Sequence, residues 1–246
     1  MTLPEVLVTM VIATILALAT FSLVDVTLRR TSEITSRSDG VQRGRVAMDL
    51  MTRQLRSQVC LGASASVSRS IVAGSPTSVT FYTELGDPST KVLGTPPPRV
   101  VEKRSLTLET EGDYAPGTLV ERRYVGTPAP DQPLGFTFSD VADSTRELMT
   151  PIVLTPTPDK ETLPLALFRF YGWNVDNPND PAPNKLLPFT TANALSDTDV
   201  KKVARIEITF RAKPRKDDVA STVFYNEVTL RTIDPNISTE MTVPCL

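Results

Sequence analysis

The sequence predicts an α+β protein in which one long N-terminal helix continues as the spine of an antiparallel β-sheet domain. Three observations support this fold class. A charge-free apolar stretch near the start is followed by a proline-free segment with apolar residues at helical spacing, and the chain after Gly62 changes to short β-like runs separated by Pro, Gly and Asp. We expect the apolar half of the helix to protrude and the second half to pack on the sheet.

The composition argues against an enzyme and against a nucleic-acid-binding protein. The 246 residues carry a formal net charge of -2 and contain no histidine and two cysteines. Such a chain has no Ser-His-Asp arrangement and no imidazole metal ligand, and two cysteines are too few for an all-thiolate zinc site or an iron–sulfur cluster. A Gly-rich phosphate loop is also absent from the sequence. We therefore expect no catalytic residue, no cofactor and no nucleic-acid partner.

The first predicted element is an apolar helix that can cross a membrane. Residues Val6 to Val24 contain no charge, Gly or Pro, and at helical rise they extend roughly 28 Å, about the thickness of a bilayer hydrocarbon core. A signal peptide is disfavoured because no Lys or Arg precedes Arg29 and no small-residue cleavage site ends the stretch. As a plain anchor, its basic flank Arg29-Arg30 would keep the following domain in the cytoplasm. The pattern fits an external domain if a basic leader once preceded Met1 and was removed.

Glu5 is the one charged residue before Asp25. A carboxylate beside an apolar span is costly to bury unpaired, by about a few kcal/mol or more, and such residues are usually functional. Pro4 fits the first turn of a helix, where its missing N–H costs no hydrogen bond. Glu5 then lies at the positive end of the helix dipole, which favours a negative charge.

The sequence Met1-Thr2-Leu3-Pro4-Glu5 followed by an apolar helix resembles the mature N-terminus of type IV pilins and of type II secretion pseudopilins. The resemblance implies that a prepilin peptidase exposes Met1, that the Met1 amine is N-methylated, and that Glu5 neutralises this amine in a neighbouring subunit. Met1 stands where Phe is more common in the family, which leaves open whether Met1 is the processed residue or an initiator methionine. Ser22 stands where many pilins carry a proline.

The resemblance also implies partners and a location. The partners would be other pilin subunits in a homo- or hetero-polymer, the prepilin peptidase and the pilus assembly platform, with the membrane as the surroundings before assembly. The chain would first lie in the inner or cytoplasmic membrane with its C-terminal domain outside, and later in an extracellular filament or a periplasmic pseudopilus. The stretch Val223 to Arg231 also resembles the last strand of larger minor pilins and J-type pseudopilins. Whether the chain is a major or a minor subunit stays open.

The segment after the span is predicted to be an amphipathic helix. Its apolar residues recur every seven positions, at Ile34, Val41, Met48 and Leu55, reinforced by Val46, Ala47, Leu50, Met51 and Val59. This repeat predicts one stripe that packs on a long surface. Gly40 and Gly44 are points where the helix can bend or let another helix approach. The predicted units are therefore a transmembrane or polymerisation helix over 1–28, an amphipathic spine over 29–59 and an extracytoplasmic β-rich domain over 60–246.

Eight strands are predicted after the helix. They lie at Thr77–Glu84, Arg104–Glu111, Thr118–Val125, Gly135–Phe138, Pro151–Thr155, Ala166–Trp173, Val203–Lys213 and Thr222–Ile233. Within Val203–Lys213 apolar residues alternate with charged and polar ones, which is typical of a half-buried strand. We expect Glu207 there, and Glu227 on the next strand, to lie on a solvent face. The turn at Lys213–Asp218 predicts that Val223–Leu230 is the antiparallel partner of this strand.

Cys60, at the end of the predicted helix, and Cys245, the penultimate residue, are the two cysteines. Two inert buried thiols are one interpretation. A disulfide that pins the C-terminus to the helix is favoured, because the N-terminal sequence independently suggests an oxidising, extracytoplasmic location.

A loop of Asx residues offers oxygen ligands of the kind that calcium prefers, at Asp176, Asn177, Asn179 and Asp180. The loop has neither the EF-hand spacing nor a nearby bidentate Glu. A series of Asx-turns set by the prolines at 178, 181 and 183 is the favoured interpretation, so no metal site is predicted.

The leading hypothesis is a structural subunit of a type IV pilus-like filament that polymerises through its N-terminal helix. The alternatives are a minor pseudopilin of a type II secretion system and a membrane-anchored extracytoplasmic binding module. The first two share the role of Glu5. The third needs the apolar helix only as an anchor.

Overall fold

The computed structural model describes residues 2–62, 69–84, 100–110, 117–132, 134–154, 166–173, 186–189, 194–213 and 221–230. Within these residues the elements in chain order are α1 (Leu3–Arg56), β1 (Ile71–Ser75), β2 (Ser78–Glu84), β3 (Val101–Glu109), β4 (Gly117–Val125), β5 (Thr127–Pro128), β6 (Phe136–Thr137), β7 (Ser144–Val153), β8 (Phe168–Trp173), β9 (Leu186–Pro188), α2 (Asp197–Lys202), β10 (Val203–Ala212) and β11 (Thr222–Thr229).

Helix α1 is unbroken over 54 residues and crosses the predicted boundary between residues 28 and 29 without interruption. It begins after Thr2, whose backbone is extended and whose N–H donates to Oε2 of Glu5 at 3.3 Å. No proline follows Pro4 in this segment, and good helix formers such as Leu, Ala, Met and Arg recur along it. The helix ends at Arg56, and the N–H of the capping residue Ser57 donates to the carbonyl oxygens of Arg53 and Gln54, each at 3.1 Å.

Nine strands form one antiparallel sheet in the order β1-β2-β3-β4-β7-β10-β8-β9, with β11 on β10, while β5 and β6 form a separate hairpin. Strand β10 joins two parts of this sheet. One of its edges pairs with β11. The other edge pairs with β8 over Val203–Ile208 and with β7 at Arg211 and Ala212, so β7 and β8 follow one another along it. The predicted α+β fold class is confirmed.

The second half of α1 packs on one face of this sheet, here called the inner face. The buried helix residues are Gly40, Gly44, Ala47, Met48, Met51, Thr52, Gln54 and Leu55. They meet fully buried strand residues that include Phe81, Leu106, Leu119, Ile206 and Phe210. Helix and sheet therefore share one hydrophobic core.

The predicted seven-residue stripe is only partly right. Met48 and Leu55 are buried, but Ile34 is 68% exposed and Val46 is 69% exposed. Ile34 precedes the part of the helix that the sheet covers, which begins at Gly40. Val46 lies on the opposite side of the helix from Gly44 and Met51, because successive helical residues are about 100° apart.

Gly44 marks the closest approach of the sheet to α1. A Cβ atom on Gly44 would lie 2.4 Å from Cε2 of Phe224, and the Phe224 ring stacks on Phe210 with 5.3 Å between centroids. Asn226, two residues along β11, donates from Nδ2 to Oγ1 of Thr52 at 2.9 Å. The close approach that Gly44 permits is thus to an aromatic ring of a strand and not to another helix.

Most of the predicted strands are confirmed, and the β10–β11 pairing matches the predicted hairpin of Val203–Lys213 with Val223–Leu230. Five features were missed: β1, β5, β9, the short helix α2 and the first seven residues of β7. The missed part of β7, Ser144–Thr150, is mostly polar and shows little alternation, so its strand character depends on pairing with β4. Most of the predicted turn at Lys213–Asp218 lies outside the described residues.

Charged residues occupy one end of the inner face, beneath the C-terminal turns of α1. Glu121 accepts hydrogen bonds from Nε2 of Gln54 at 2.5 Å, from Nη2 of Arg146 at 2.6 Å and from Nη1 of Arg104. Glu102 pairs with Arg104 at 2.6 Å and with Nη2 of Arg123 at 2.5 Å. Both carboxylates are buried, so the network offsets a desolvation cost of several kcal/mol per ion.

The prediction that Glu207 lies on a solvent face is wrong. Its side chain is fully buried; it accepts hydrogen bonds from Nη1 of Arg169 at 3.0 Å and from the hydroxyl of Tyr171 at 2.7 Å. Both partners lie on β8, which pairs with β10, so a strand distant in sequence supplies the cation and the hydroxyl donor that let this carboxylate be buried.

Glu227, opposite Glu207 on β11, is half-exposed and pairs with Nη1 of Arg205 at 2.8 Å. Tyr225 donates a hydrogen bond to Glu227. Partial burial of the ring together with this bond to a carboxylate raises the pKa of Tyr225. Glu207 and Glu227 are therefore both paired with arginines and are not free carboxylates facing solvent.

Candidate functional site

The candidate site is the part of α1 that leaves the domain. Every residue from Thr2 to Thr35 is exposed; we call this stretch the projecting segment. At helical rise it extends about 50 Å. Large apolar side chains are exposed along its whole length, with Leu3 and Phe21 each 78% exposed. An apolar surface of this size marks a site of contact with a membrane or another protein.

Four threonines of the projecting segment bond their hydroxyl groups back to the helix itself. Thr9 donates to the carbonyl of Val6 at 2.9 Å, and Thr14, Thr20 and Thr27 donate to the carbonyls four residues earlier at 2.8 Å each. A hydroxyl bonded back to its own helix needs no external partner in apolar surroundings. The threonines therefore do not oppose burial of the segment.

Glu5 differs from these threonines because its charge is not matched within the segment. One oxygen, Oε2, accepts the Thr2 N–H at 3.3 Å. In the part of the chain that the structure describes, Oε1 has no hydrogen-bond donor and Glu5 has no ion-pair partner. Met1, which the family resemblance makes the partner of Glu5 across subunits, lies outside the described residues. The pairing stays a prediction.

Small and large side chains lie on different sides of the projecting segment. Thr9, Ala13, Ala17 and Thr20 follow one another at spacings of four, four and three residues and share one side. Leu7, Val11, Ile15 and Leu18 recur at the same spacings on the opposite side. Small residues permit close approach between helices in apolar surroundings. The sequence contained this spacing, but the predictions from composition and length did not use it.

Surface ion pairs follow the apolar stretch. Asp25 pairs with Arg29 at 3.0 Å, Glu33 with Arg37 at 3.6 Å and Asp39 with Arg43 at 3.1 Å, each one helical turn apart. Exposed pairs of this kind contribute little to stability. They neutralise most of the charge between the apolar stretch and the domain.

The length and composition of α1 are sufficient to cross a membrane, and its apolar window is wholly unburied by the protein itself. Comparison with protein-family models, with curated proteins and with solved structures gives no match. The site therefore has to be interpreted from its own chemistry.

The remaining predicted site residues lie at the far end of the molecule. Cys60, four residues after the end of α1, is disulfide-bonded. Cys245 lies outside the described residues, so the Cys60–Cys245 pairing stays a prediction.

The low-priority calcium loop, Asp176 to Asp180, also lies outside the described residues. Among the side chains that are described, no group of three or more Asp, Glu or Cys residues is placed to hold a metal ion.

Proposed function

We propose that this chain is a structural subunit of a type IV pilus-like filament, held in a membrane by α1 before assembly. In the filament, the projecting segments of several copies would bury one another, and Glu5 would pair with the N-terminal amine of a neighbouring copy. The supporting observation is one unbroken helix whose first half is apolar and uncovered, while its second half belongs to the core of the sheet domain.

The physical argument turns on what changes when the helix leaves the bilayer. Lipid tails are as apolar as Leu, so moving apolar side chains from lipid into a helix bundle gains little hydrophobic free energy. Close packing and polar pairing then control association. Glu5 is the charged group of Thr2–Val24, and its unpaired burial would cost about a few kcal/mol. The N-terminal amine of a neighbouring copy removes that cost only when the two helices are shifted along their axes so that the amine lies beside Glu5. At every other shift Glu5 stays unpaired, so this one charge sets the register of the copies.

The continuity of α1 couples assembly to display of the domain. The helix enters the core at Gly40 and remains there to Leu55. Its orientation relative to the sheet is set by buried contacts on β11, β7 and β10 and not by a linker. A bundle of projecting segments would therefore array the sheet domains at repeated positions on the outside.

The deciding experiment compares Glu5→Gln with Glu33→Gln, a charge removal on the same helix beyond the apolar stretch. Gln retains the acceptor for the Thr2 N–H, since Gln serves as well as Glu at this capping position. Cells that supply the prepilin peptidase and assembly platform would be sheared, and the released material examined by electron microscopy and immunodetection. Glu5→Gln removes the charge that pairs with the neighbouring amine, and with it the penalty of a few kcal/mol that disfavours the wrong axial offsets. We therefore expect Glu5→Gln to reduce filament yield about tenfold or more.

Two further readouts complete this test. The membrane-bound amount of the Glu5→Gln subunit should equal that of the wild type, and Glu33→Gln should form filaments normally. Normal filament yield from Glu5→Gln would contradict the proposed role of the charge. A wild-type chain that stays in the membrane and yields no filaments would favour the anchored binding module. Filaments in which this chain is rare would favour a minor subunit.

A further inference from the structure

The charged stretch just beyond the apolar span carries a second interaction surface. Asp25, Arg29, Arg30, Glu33 and Arg37 all lie on the projecting segment or at its edge and are exposed, since the sheet covers α1 only from Gly40 onward. We infer that this stretch, and Arg30 in particular, binds the phosphate of an anionic lipid headgroup when α1 spans a bilayer. The inference requires only a membrane-inserted helix and does not depend on filament assembly.

The first argument is depth. Val24 ends the apolar stretch, and Arg30 follows six residues later, about 9 Å along the helix axis. The headgroup region on each side of the hydrocarbon core is about 5–8 Å thick. An arginine side chain at this point reaches back along the helix surface to the headgroups, as long basic side chains do at membrane interfaces. The sheet domain begins at Gly40, about 24 Å beyond Val24, and leaves this level uncovered.

The second argument is charge. Arg29 is neutralised by Asp25 at 3.0 Å and Arg37 by Glu33 at 3.6 Å. Arg30 has no ion pair within the described residues, and it gives the stretch from Asp25 to Arg37 its net positive charge of three arginines against two acids. A guanidinium forms bidentate hydrogen bonds with phosphate oxygens. The unmatched cation therefore lies where phosphate groups are concentrated.

The full-length protein in vesicles provides the test. Spin-labelled phosphatidylglycerol and phosphatidylcholine, each introduced in turn into phosphatidylcholine bilayers, report by electron paramagnetic resonance which lipid the helix holds at its boundary. A single basic residue near the surface corresponds to about a fivefold preference for the anionic lipid at its contact. We expect the wild type to prefer phosphatidylglycerol and Arg30→Gln to lose most of that preference.

Two further variants complete the test, one expected to raise the lipid preference and one expected to leave it unchanged. Asp25→Asn releases Arg29 and should raise the preference above that of the wild type. Arg45→Gln removes another exposed arginine from the same helix, but roughly 31 Å beyond Val24 and far outside a Debye length of about 8–10 Å, so it should change nothing. These positions are exposed, so none of the changes threatens the fold.

The outcomes separate this inference from the filament proposal. An Arg30→Gln variant that keeps the wild-type preference would overturn the headgroup assignment, as expected if Arg30 instead pairs with an acidic residue of a neighbouring copy. Equal loss in Arg30→Gln and Arg45→Gln would overturn it too, because depth would then be irrelevant. Loss of filaments in Glu5→Gln, by contrast, leaves these lipid measurements unchanged.

Discussion

In helix α1 the more apolar half is exposed and the more polar half is buried. The first half is almost entirely apolar, yet every residue from Thr2 to Thr35 is exposed. The second half is much less apolar, yet between Gly40 and Leu55 it buries two glycines, a threonine and a glutamine beside its apolar residues. The hydrophobicity of a helix segment thus indicates which environment the segment needs. Which of its residues a domain buries depends instead on side-chain size and on the hydrogen-bond partners that the domain supplies.

The contrast has a physical basis. A sheet that approaches within contact of the helix backbone requires small residues such as Gly44 and Ala47 at the closest points, and buried polar groups such as Gln54 require partners. Lipid makes no such positional demand on the apolar half beyond a continuous nonpolar surface. The domain half is therefore intolerant of single changes in the isolated protein, whereas the projecting half would become intolerant only in the proposed filament.

The largest expected effect contrasts a buried ion pair with an exposed one. Glu121→Ala removes the acceptor shared by Gln54, Arg104 and Arg146 and leaves buried N–H donors of Gln54 and Arg104 without an acceptor, so the free energy of unfolding should fall by about 3–5 kcal/mol. Asp25→Ala removes an exposed partner and should change it by about 0.5 kcal/mol or less. Urea unfolding in detergent, followed by circular dichroism, measures both. Similar losses from the two variants would contradict the contrast.

The next effect compares one substitution in both halves. Leu55→Ala leaves a cavity in the core and should cost about 2–5 kcal/mol of domain stability, because Leu55 is fully buried. Leu16→Ala removes the same atoms from an exposed position of the same helix and should leave the unfolding midpoint of the domain unchanged. A destabilised domain in Leu16→Ala would mean that the projecting segment folds back on the sheet.

The smallest effect concerns the contact between Gly44 and Phe224. Gly44→Ala would improve helix propensity by about 1 kcal/mol, but its methyl group would overlap a ring packed on Phe210, which costs about 1–3 kcal/mol. We expect a net loss of stability of up to about 2 kcal/mol in the same unfolding assay. Combining Gly44→Ala with Phe224→Leu should recover part of it, since the smaller side chain makes room for the methyl. A stabilised single variant would show that the ring moves aside freely.

Much of the candidate site could be predicted because it depends on local sequence. A span without charge or proline, a capping Glu5 and an apolar length near 28 Å are properties of neighbouring residues. The long helix, the fold class and the β10–β11 hairpin were predictable for the same reason. The helical repeat failed at Ile34 because periodicity does not define where along the helix the sheet begins, and at Val46 because it does not define which face is covered.

The sequence by itself determined that a long helix forms, that its first half needs apolar surroundings and that alternating strands follow. Only the tertiary structure decided that burial begins at Gly40, that Phe224 packs over Gly44 and that Glu121 and Glu207 lie inside. The reason is that burying a carboxylate depends on arginines from strands far away in the chain, such as Arg146 for Glu121 and Arg169 for Glu207. Local patterns contain no information about those partners until the sheet brings them together.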